Sequence, residues 1–335
     1  MLLQSATELK GEQSLFVTPP GVSAVMGEMF VNRATVLDAM SAAVLCATRV
    51  MPEDVQESFR RLMASETDAG AKANLEMTMR DCVAMNPHGE LLLCPDTGAP
   101  TFHVRIGEDV RVEGGFSTFK SMSKKALADA TARGMLRPNL VHPITRANSG
   151  DNTGRFMPQV ELYFDPSISH IEIMAVPISG GSETSGTFFR MMSPVDGMQG
   201  ILKFVLDCVR VSTYAGKTCP PNVIGIGIGG TSDMCMKLAK QAAVLRPIGT
   251  SHPDPDMARL EEEILSLVNS LGIGPLGRGG CASAHAVHVE YAACHISGLP
   301  VAYNAQCLLG RRGLVRIETD GTLNTVKTMD WEIRE

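Results

Sequence analysis

The side chains in this sequence with the most chemistry to offer are thiols. Nine cysteines are present: Cys46, Cys82, Cys94, Cys208, Cys219, Cys235, Cys281, Cys294 and Cys307. Three of them stand where the chain turns. Leu91-Leu92-Leu93-Cys94-Pro95-Asp96-Thr97-Gly98 reads as an apolar strand that runs into a thiol, a carboxylate and a turn. Lys217-Thr218-Cys219-Pro220-Pro221 sets two prolines beside a thiol and stiffens the backbone there, which suits a thiolate held at a metal. Asn304-Ala305-Gln306-Cys307 ends a strand on a third thiol. Taken singly, each segment is also compatible with a thiol that merely packs as a small apolar group. Cys46, Cys82, Cys208 and Cys235 occupy helical, core-like positions, and Cys281 and Cys294 fit either description. Three thiols from distant loops together suit a 4Fe-4S cluster that leaves one iron without a protein ligand. An open coordination position is what lets a metal act as a Lewis acid.

Two further constellations have competing readings. Gly225-Ile226-Gly227-Ile228-Gly229-Gly230 invites a dinucleotide site, yet Gly225 and Gly227 lie inside the apolar strand rather than after it. About twenty residues on, Ala243-Val244-Leu245-Arg246-Pro247 offers no acid for a ribose. Close backbone packing, or a carboxylate site at the helix that starts near Thr231, is the better reading. His285, His288 and His295 cluster near the C-terminal end, and alternation puts residues 286, 288 and 290 on one face of a strand. Two facing histidines can ligate zinc, but no second ligand pair stands at finger-like spacing, so ordinary hydrogen-bonded histidines are expected.

The elements that must position these groups read as mixed α/β (α/β or α+β). Residues 1–89 are mainly helical. Val22 to Val50 carries helix-period apolar residues, Pro52 sits where a first turn accepts proline, and Asp68 caps a third helix running to Met85. Residues 90–335 mix strands (Leu91 to Leu93, His170 to Val176, Val223 to Ile228, Ala286 to Tyr291, Gly313 to Thr319) with helices after Ser193-Pro194, after Thr231 and from Pro255 to Leu271. With no repeat, low-complexity tract or long linker, residues 1–335 form one domain with a soft internal boundary near residue 90.

Composition narrows the function classes. A chain of 335 residues that is 44% hydrophobic has ample material for a core. A net charge of -6 lacks the basic excess that nucleic acid demands. Met1 to Phe16 has no basic start followed by an apolar run, and no apolar stretch reaches membrane-spanning length. An odd number of scattered cysteines without an export signal points to free thiols in a reducing cytoplasm.

Seven separated motifs carry a family resemblance. They are Cys94-Pro95-Asp96-Thr97-Gly98; Leu136-Arg137 followed by Ala147-Asn148-Ser149-Gly150-Asp151-Asn152-Thr153; Gly180-Gly181-Ser182; Cys219-Pro220-Pro221; Gly227 to Thr231 with Lys237 and Lys240; Cys294 to Ala302; and Asn304 to Cys307. The chain resembles the oxygen-labile iron-sulfur fumarases and the two-subunit tartrate dehydratases, over nearly its whole length. The resemblance implies a hydro-lyase alpha subunit in which Cys94, Cys219 and Cys307 bind a 4Fe-4S cluster. The free iron of that cluster would take the substrate hydroxyl and a carboxylate oxygen. It further implies that Asp96 handles the hydroxyl proton, that Arg137 grips a substrate carboxylate, and that backbone at Gly180 and Gly181 approaches the substrate. The implied reaction is fumarate to malate, with tartrate or a substituted fumarate as alternatives. A separate beta subunit and a hetero-oligomer built on a dimer are implied as well. The family usually has glutamine at Pro95 and a lysine before the glycine run, where Ile178 and Ser179 stand here; both departures remove polar contacts from the substrate pocket. A non-catalytic cluster or anion-binding protein is the rival of another class.

Overall fold

The computed structural model describes residues 22–25, 28–214, 216–327 and 331. Met1 to Phe16, read above as free of a targeting segment, lies outside them. Strands β1 (Val22–Val25) and β2 (Glu28–Val31) precede helices α1 (Arg33–Arg49), α2 (Glu53–Ser65) and α3 (Ala69–Met79), the last continued by a π turn at Arg80–Ala84. There follow β3 (Ala99–Gly107), β4 (Val110–Val112), α4 (Ser117–Ala132), β5 (Gln159–Asp165), β6 (Ile171–Ile178), the short α5 (Gly180–Ser185) and β7 (Thr187–Met192). The remainder is α6 (Gly197–Ser212), β8 (Asn222–Gly229), α7 (Ser232–Leu245), α8 (Pro255–Ser270), β9 (Ala284–Ala292), β10 (Leu299–Gln306), β11 (Gly313–Ile317) and β12 (Leu323–Val326).

The class is mixed α/β with a helical segment (α1 to α3) ahead of the two larger sheets, as expected. Local chemistry explains the helix starts: Asn32 and Asp68 accept from the amides of Thr35 and Ala71, each at 2.8 Å, and Asp254 with Pro255 opens α8. Three details differ from the sequence reading. Val22–Val25 and Glu28–Val31, read as the start of a helix, are strands, because they pair with each other and β2 pairs with the distant β4 (Met29 opposite Val110). Leu91 to Leu93 is not a strand. The Asn86 side chain bridges Arg49 O, Leu91 O and Leu91 N there and holds the segment in an irregular path. Helix α4 has no counterpart in the sequence reading, since Thr118, Ser123 and Thr131 interrupt its buried face and blur the apolar period.

Two sheets hold the rest. The five-stranded sheet runs β12-β11-β6-β3-β5 and the four-stranded sheet β7-β10-β8-β9. Along β6 the side chains alternate. Ile171, Ile173 and Ala175 join α1 and α4 in one core, whereas Met174, Val176 and Ile178 meet Ala243, Val244 and Leu245 of α7 on the other face. With helices on both faces, β6 is buried throughout. The four-stranded sheet packs its second face on α6 and α8 through Ile224, Ile226, Val287, Val289 and Tyr303. Helix α7 is thus clamped between the sheets. On β8 the isoleucines face α6 and α8 while the glycines face α7, and the fit is tight. A Cβ on Gly225 would stand 2.0 Å from Ala239 O, and one on Gly227 2.1 Å from Cys235 O. Gly225 and Gly227 thus serve close backbone packing, one of the two alternatives weighed against a dinucleotide site. Gly225→Ala is expected to cost about 3 kcal/mol by forcing α7 off the sheet. A urea unfolding midpoint equal to wild type would refute that account.

The Arg33–Ser65 stretch is long and apolar enough by composition to cross a membrane. It is two helices, broken at Val50–Pro52, and the longer one has 17 residues. That length spans only about 25 Å, short of the hydrocarbon core, and its apolar side is occupied by α4 and the five-stranded sheet.

Candidate active site

Strand pairing at one end of each sheet gathers the turns singled out in the sequence. In the five-stranded sheet Ala99 lies opposite Ile178, so the Cys94–Gly98 turn that enters β3 meets the Ser179–Gly181 turn that leaves β6. In the other sheet Val223 lies opposite Gln306, so Cys219 before β8 meets Cys307 after β10. Helix α5 carries the chain from the first sheet to the second between them. A Cβ on Gly98 would lie 2.0 Å from Ile178 O and one on Gly181 2.3 Å from Lys217 O, so both contacts require glycine.

Asp96 is held from three sides. Its Oδ1 accepts from the Gly98 amide (3.0 Å) and from Asn139 Nδ2, and its Oδ2 accepts from the Gly180 amide (2.8 Å). The Asp96 amide points at Cys94 Sγ, 3.5 Å away. Asn139 also accepts from Arg137 Nε at 3.0 Å through its Oδ1, so one amide side chain orients both the carboxylate and the guanidinium. Arg137 is exposed, and its two terminal nitrogens have no protein partner among the described residues. Beneath them, buried Asn152 donates to Arg137 O and Thr131 Oγ1 and accepts from the Asn139 amide, which ties the loop down. Pro95 is exposed beside Asp96 and offers no donor.

The three turn thiols lie in one neighbourhood. Cys94 and Cys307 pack, half-buried, in the apolar cluster that α2 and α3 lay over this end of the sheets. Cys219 is exposed, adopts the left-handed conformation (φ 53°) ahead of the cis Pro220–Pro221 bond, and is pinned by Cys219 N to Gly216 O (3.0 Å) and Leu308 N to Cys219 O (2.9 Å). A non-glycine residue held there is strained, as functional positions often are. Partial burial, with Cys307, Cys94 and Asp96 nearby, pushes its thiol above the usual range. Asn222 locks the two cysteine loops together. Its Nδ2 donates to Thr218 O and Gln306 O, and its Oδ1 accepts from Thr213 and Thr218. Among the described residues no three His, Cys, Asp or Glu side chains converge on the position of a single ion.

His285 and His288 are buried, hydrogen-bonded residues of the core. His285 Nε2 donates to Leu308 O (3.0 Å), which requires that Nδ1 accept from Ser58 (2.9 Å); it thereby fastens α2 to the loop after Cys307. His288 Nδ1 bonds Ala242 O, and exposed His295 bonds Ser297. Of the cysteines read as core, Cys208 and Cys235 are buried while Cys46 and Cys82 are half-buried, and Cys82 packs beside Cys94. Sequence reasoning passed over Asn139 and Arg311. The signals were present: Asn139 stands two residues after Arg137, and Arg311 four after Cys307.

Known proteins fit this arrangement. The sequence profile described as fumarate hydratase (Fumerase) matches residues 37–316. A Methanocaldococcus jannaschii protein, provisionally named L(+)-tartrate dehydratase subunit alpha, is 39% identical over 274 residues, 82% of this chain and 94% of that protein. The L(+)-tartrate dehydratase subunits alpha of Escherichia coli strains UTI89 and K12 are each 34% identical over 296 residues, 88% of this chain and 94% of theirs. The chain belongs to the fumarate hydratase family of hydro-lyases.

Proposed function

We propose that this chain is the alpha subunit of a two-subunit hydro-lyase that adds or removes water at a C4 dicarboxylate. The observation that carries the reading is the fixed Asp96 carboxylate, held by Gly98, Asn139 and Gly180 beside Cys94 and close to Cys219. L(+)-tartrate is the first substrate to try, because the relatives bear that name and Pro95 removes a polar contact expected for fumarate. Interconversion of fumarate and malate is the second, on the strength of the family match.

Cys94, Cys219 and Cys307 would hold a 4Fe-4S cluster. The donor set fits: all three are free thiols on separate loops that meet. A polynuclear cluster takes its thiolates at different irons, so they need not converge as the ligands of one ion must. When bound, the cluster supplies Lewis-acid charge at the departing hydroxyl. Asp96 holds or returns the hydroxyl proton at a carboxylate whose orientation its three donors set. Arg137 offers two terminal nitrogens to a substrate carboxylate in the forked geometry that carboxylates match. The Gly180–Gly181 backbone lets the substrate come close. A beta subunit, implied by the alpha designation of the relatives, would contribute the partners of the second carboxylate. The free thiols suit a reducing cytoplasm.

Iron and sulfide content after anaerobic reconstitution tests the site. Wild type should hold about four irons, and Cys94→Ser, Cys219→Ser and Cys307→Ser should each lose the absorbance spectrum. Wild type without iron under these conditions would sink the cluster assignment. A loaded alpha-beta complex that turns over no C4 hydroxy acid would leave a non-catalytic cluster protein.

A further inference from the structure

Arg311 is a buried cation that the chemistry above does not use. It is 3% exposed. Its Nη1 donates to Asp96 O (2.6 Å), its Nη2 donates to Pro177 O (3.3 Å), and its Nε has no partner. Other buried guanidiniums of this chain sit on carboxylates: Arg105 on Glu172, Arg246 on Glu261 and Arg312 on Asp54. Arg311 has no carboxylate within ion-pair reach among the described residues. A charge removed from water without a counter-charge is strongly disfavoured, so a partner anion is called for.

The surroundings limit what that anion can be. Gln306, Cys307, Gly310, Arg311 and Pro177 line a cavity of about 10 Å³, room for a water at most, so no organic acid lodges there. Arg311 shares this small cavity with Cys307. Its loop begins at Cys307, whose carbonyl accepts from Gly310 N at 3.0 Å. Asp96, whose carbonyl it grips, directs its own amide at Cys94 Sγ.

We propose that Arg311 is a positioning residue that supplies the counter-charge of the thiolate-bound group held by Cys94, Cys219 and Cys307, while fixing the Asp96 backbone. This rests on the cluster reading above. Its positive charge stabilises the more negative, reduced state of that group. The cluster potential is therefore the readout, because a purely structural clamp would not move it.

The experiment is an anaerobic redox titration of the reconstituted alpha subunit with dithionite, which donates one electron to the cluster, followed by electron paramagnetic resonance. Wild type, Arg311→Met and Arg311→Lys are compared. At a fixed reducing poise the reduced-to-oxidised ratio of Arg311→Met should be about tenfold lower than wild type, equivalent to about 59 mV for one electron. Arg311→Lys, which keeps the charge but cannot fork between two carbonyls, should load fully and stay near wild type. An unchanged potential in Arg311→Met overturns the inference. If Arg311→Met does not fold, Arg311→Lys decides: full loading at the wild-type potential supports the counter-charge, and failure to load shows that the carbonyl fork was what mattered. Wild type that takes up no iron is a different failure, that of the cluster reading itself.

Discussion

Asp96→Asn, assayed with the beta subunit, is expected to lower kcat roughly 10³-fold while iron and sulfide stay at wild-type levels. A carboxamide cannot accept the hydroxyl proton. It also turns one acceptor oxygen into an NH₂ that must face either the Gly180 amide or the pair formed by Gly98 N and Asn139 Nδ2. Cluster retention is the control, since no thiol is touched. A variant that keeps more than a tenth of the wild-type rate would remove Asp96 from the proton-handling role. One that loses iron in step with activity would make Asp96 a structural support of the Cys94 turn instead.

The protein should also unfold steeply in mild acid. Burial holds His103 and His285 down to about 4, and burial together with Arg246 holds His288 down to about 3. In the unfolded chain these imidazoles take up protons below about pH 6.5, whereas in the folded chain they stay neutral until about pH 4. The stability they contribute is therefore complete above the unfolded value and is lost as pH falls towards the folded ones. Each histidine contributes a slope of about 1.4 kcal/mol per pH unit, so the three together remove about 4 kcal/mol per unit between roughly pH 6.5 and 4. A loss of about 6 kcal/mol at pH 5 rivals the whole stability of a typical domain. Glu172 adds to this at lower pH. Burial opposes its charge, yet hydrogen bonds from Arg316 and Arg105 hold its carboxyl below the usual range, so its contribution too is lost on acidification. Urea titrations at pH 7.5, 6.5, 5.5 and 5 read the slope, and His288→Gln should reduce it by about a third. A midpoint that is flat from pH 7.5 to 5 would show that these histidines are protonated in place.

The regular elements were legible wherever a single physical signal dominated. β6, β8, β9 and β11 are recovered to within a few residues because apolar runs bounded by turn residues leave few alternatives. α7 and α8 are legible because Thr231 and Pro255 mark their starts. The reading failed where long-range pairing or local polar bonds outweighed propensity: β2 exists through β4, and Asn86 diverts Leu91 to Leu93 from a strand.

For the site, thiols and a carboxylate at turns are local features of the chain and singled out Cys94, Cys219, Cys307 and Asp96, whereas Arg137 and the Gly180–Gly181 pair entered only through the family resemblance. That these turns meet is a tertiary result. The Ala99–Ile178 and Val223–Gln306 pairings bring four loops from residues 94 to 307 to one end of the two sheets. The supporting contacts of Asn139, Asn222, His285 and Arg311 depend on side-chain direction between positions 23 to 215 residues apart, and no local pattern encodes that. Sequence thus determined which groups are available for chemistry, and folding decided which of them share a site and how each is aimed. Reactivity requires bonds of defined length between groups that the backbone alone does not bring together.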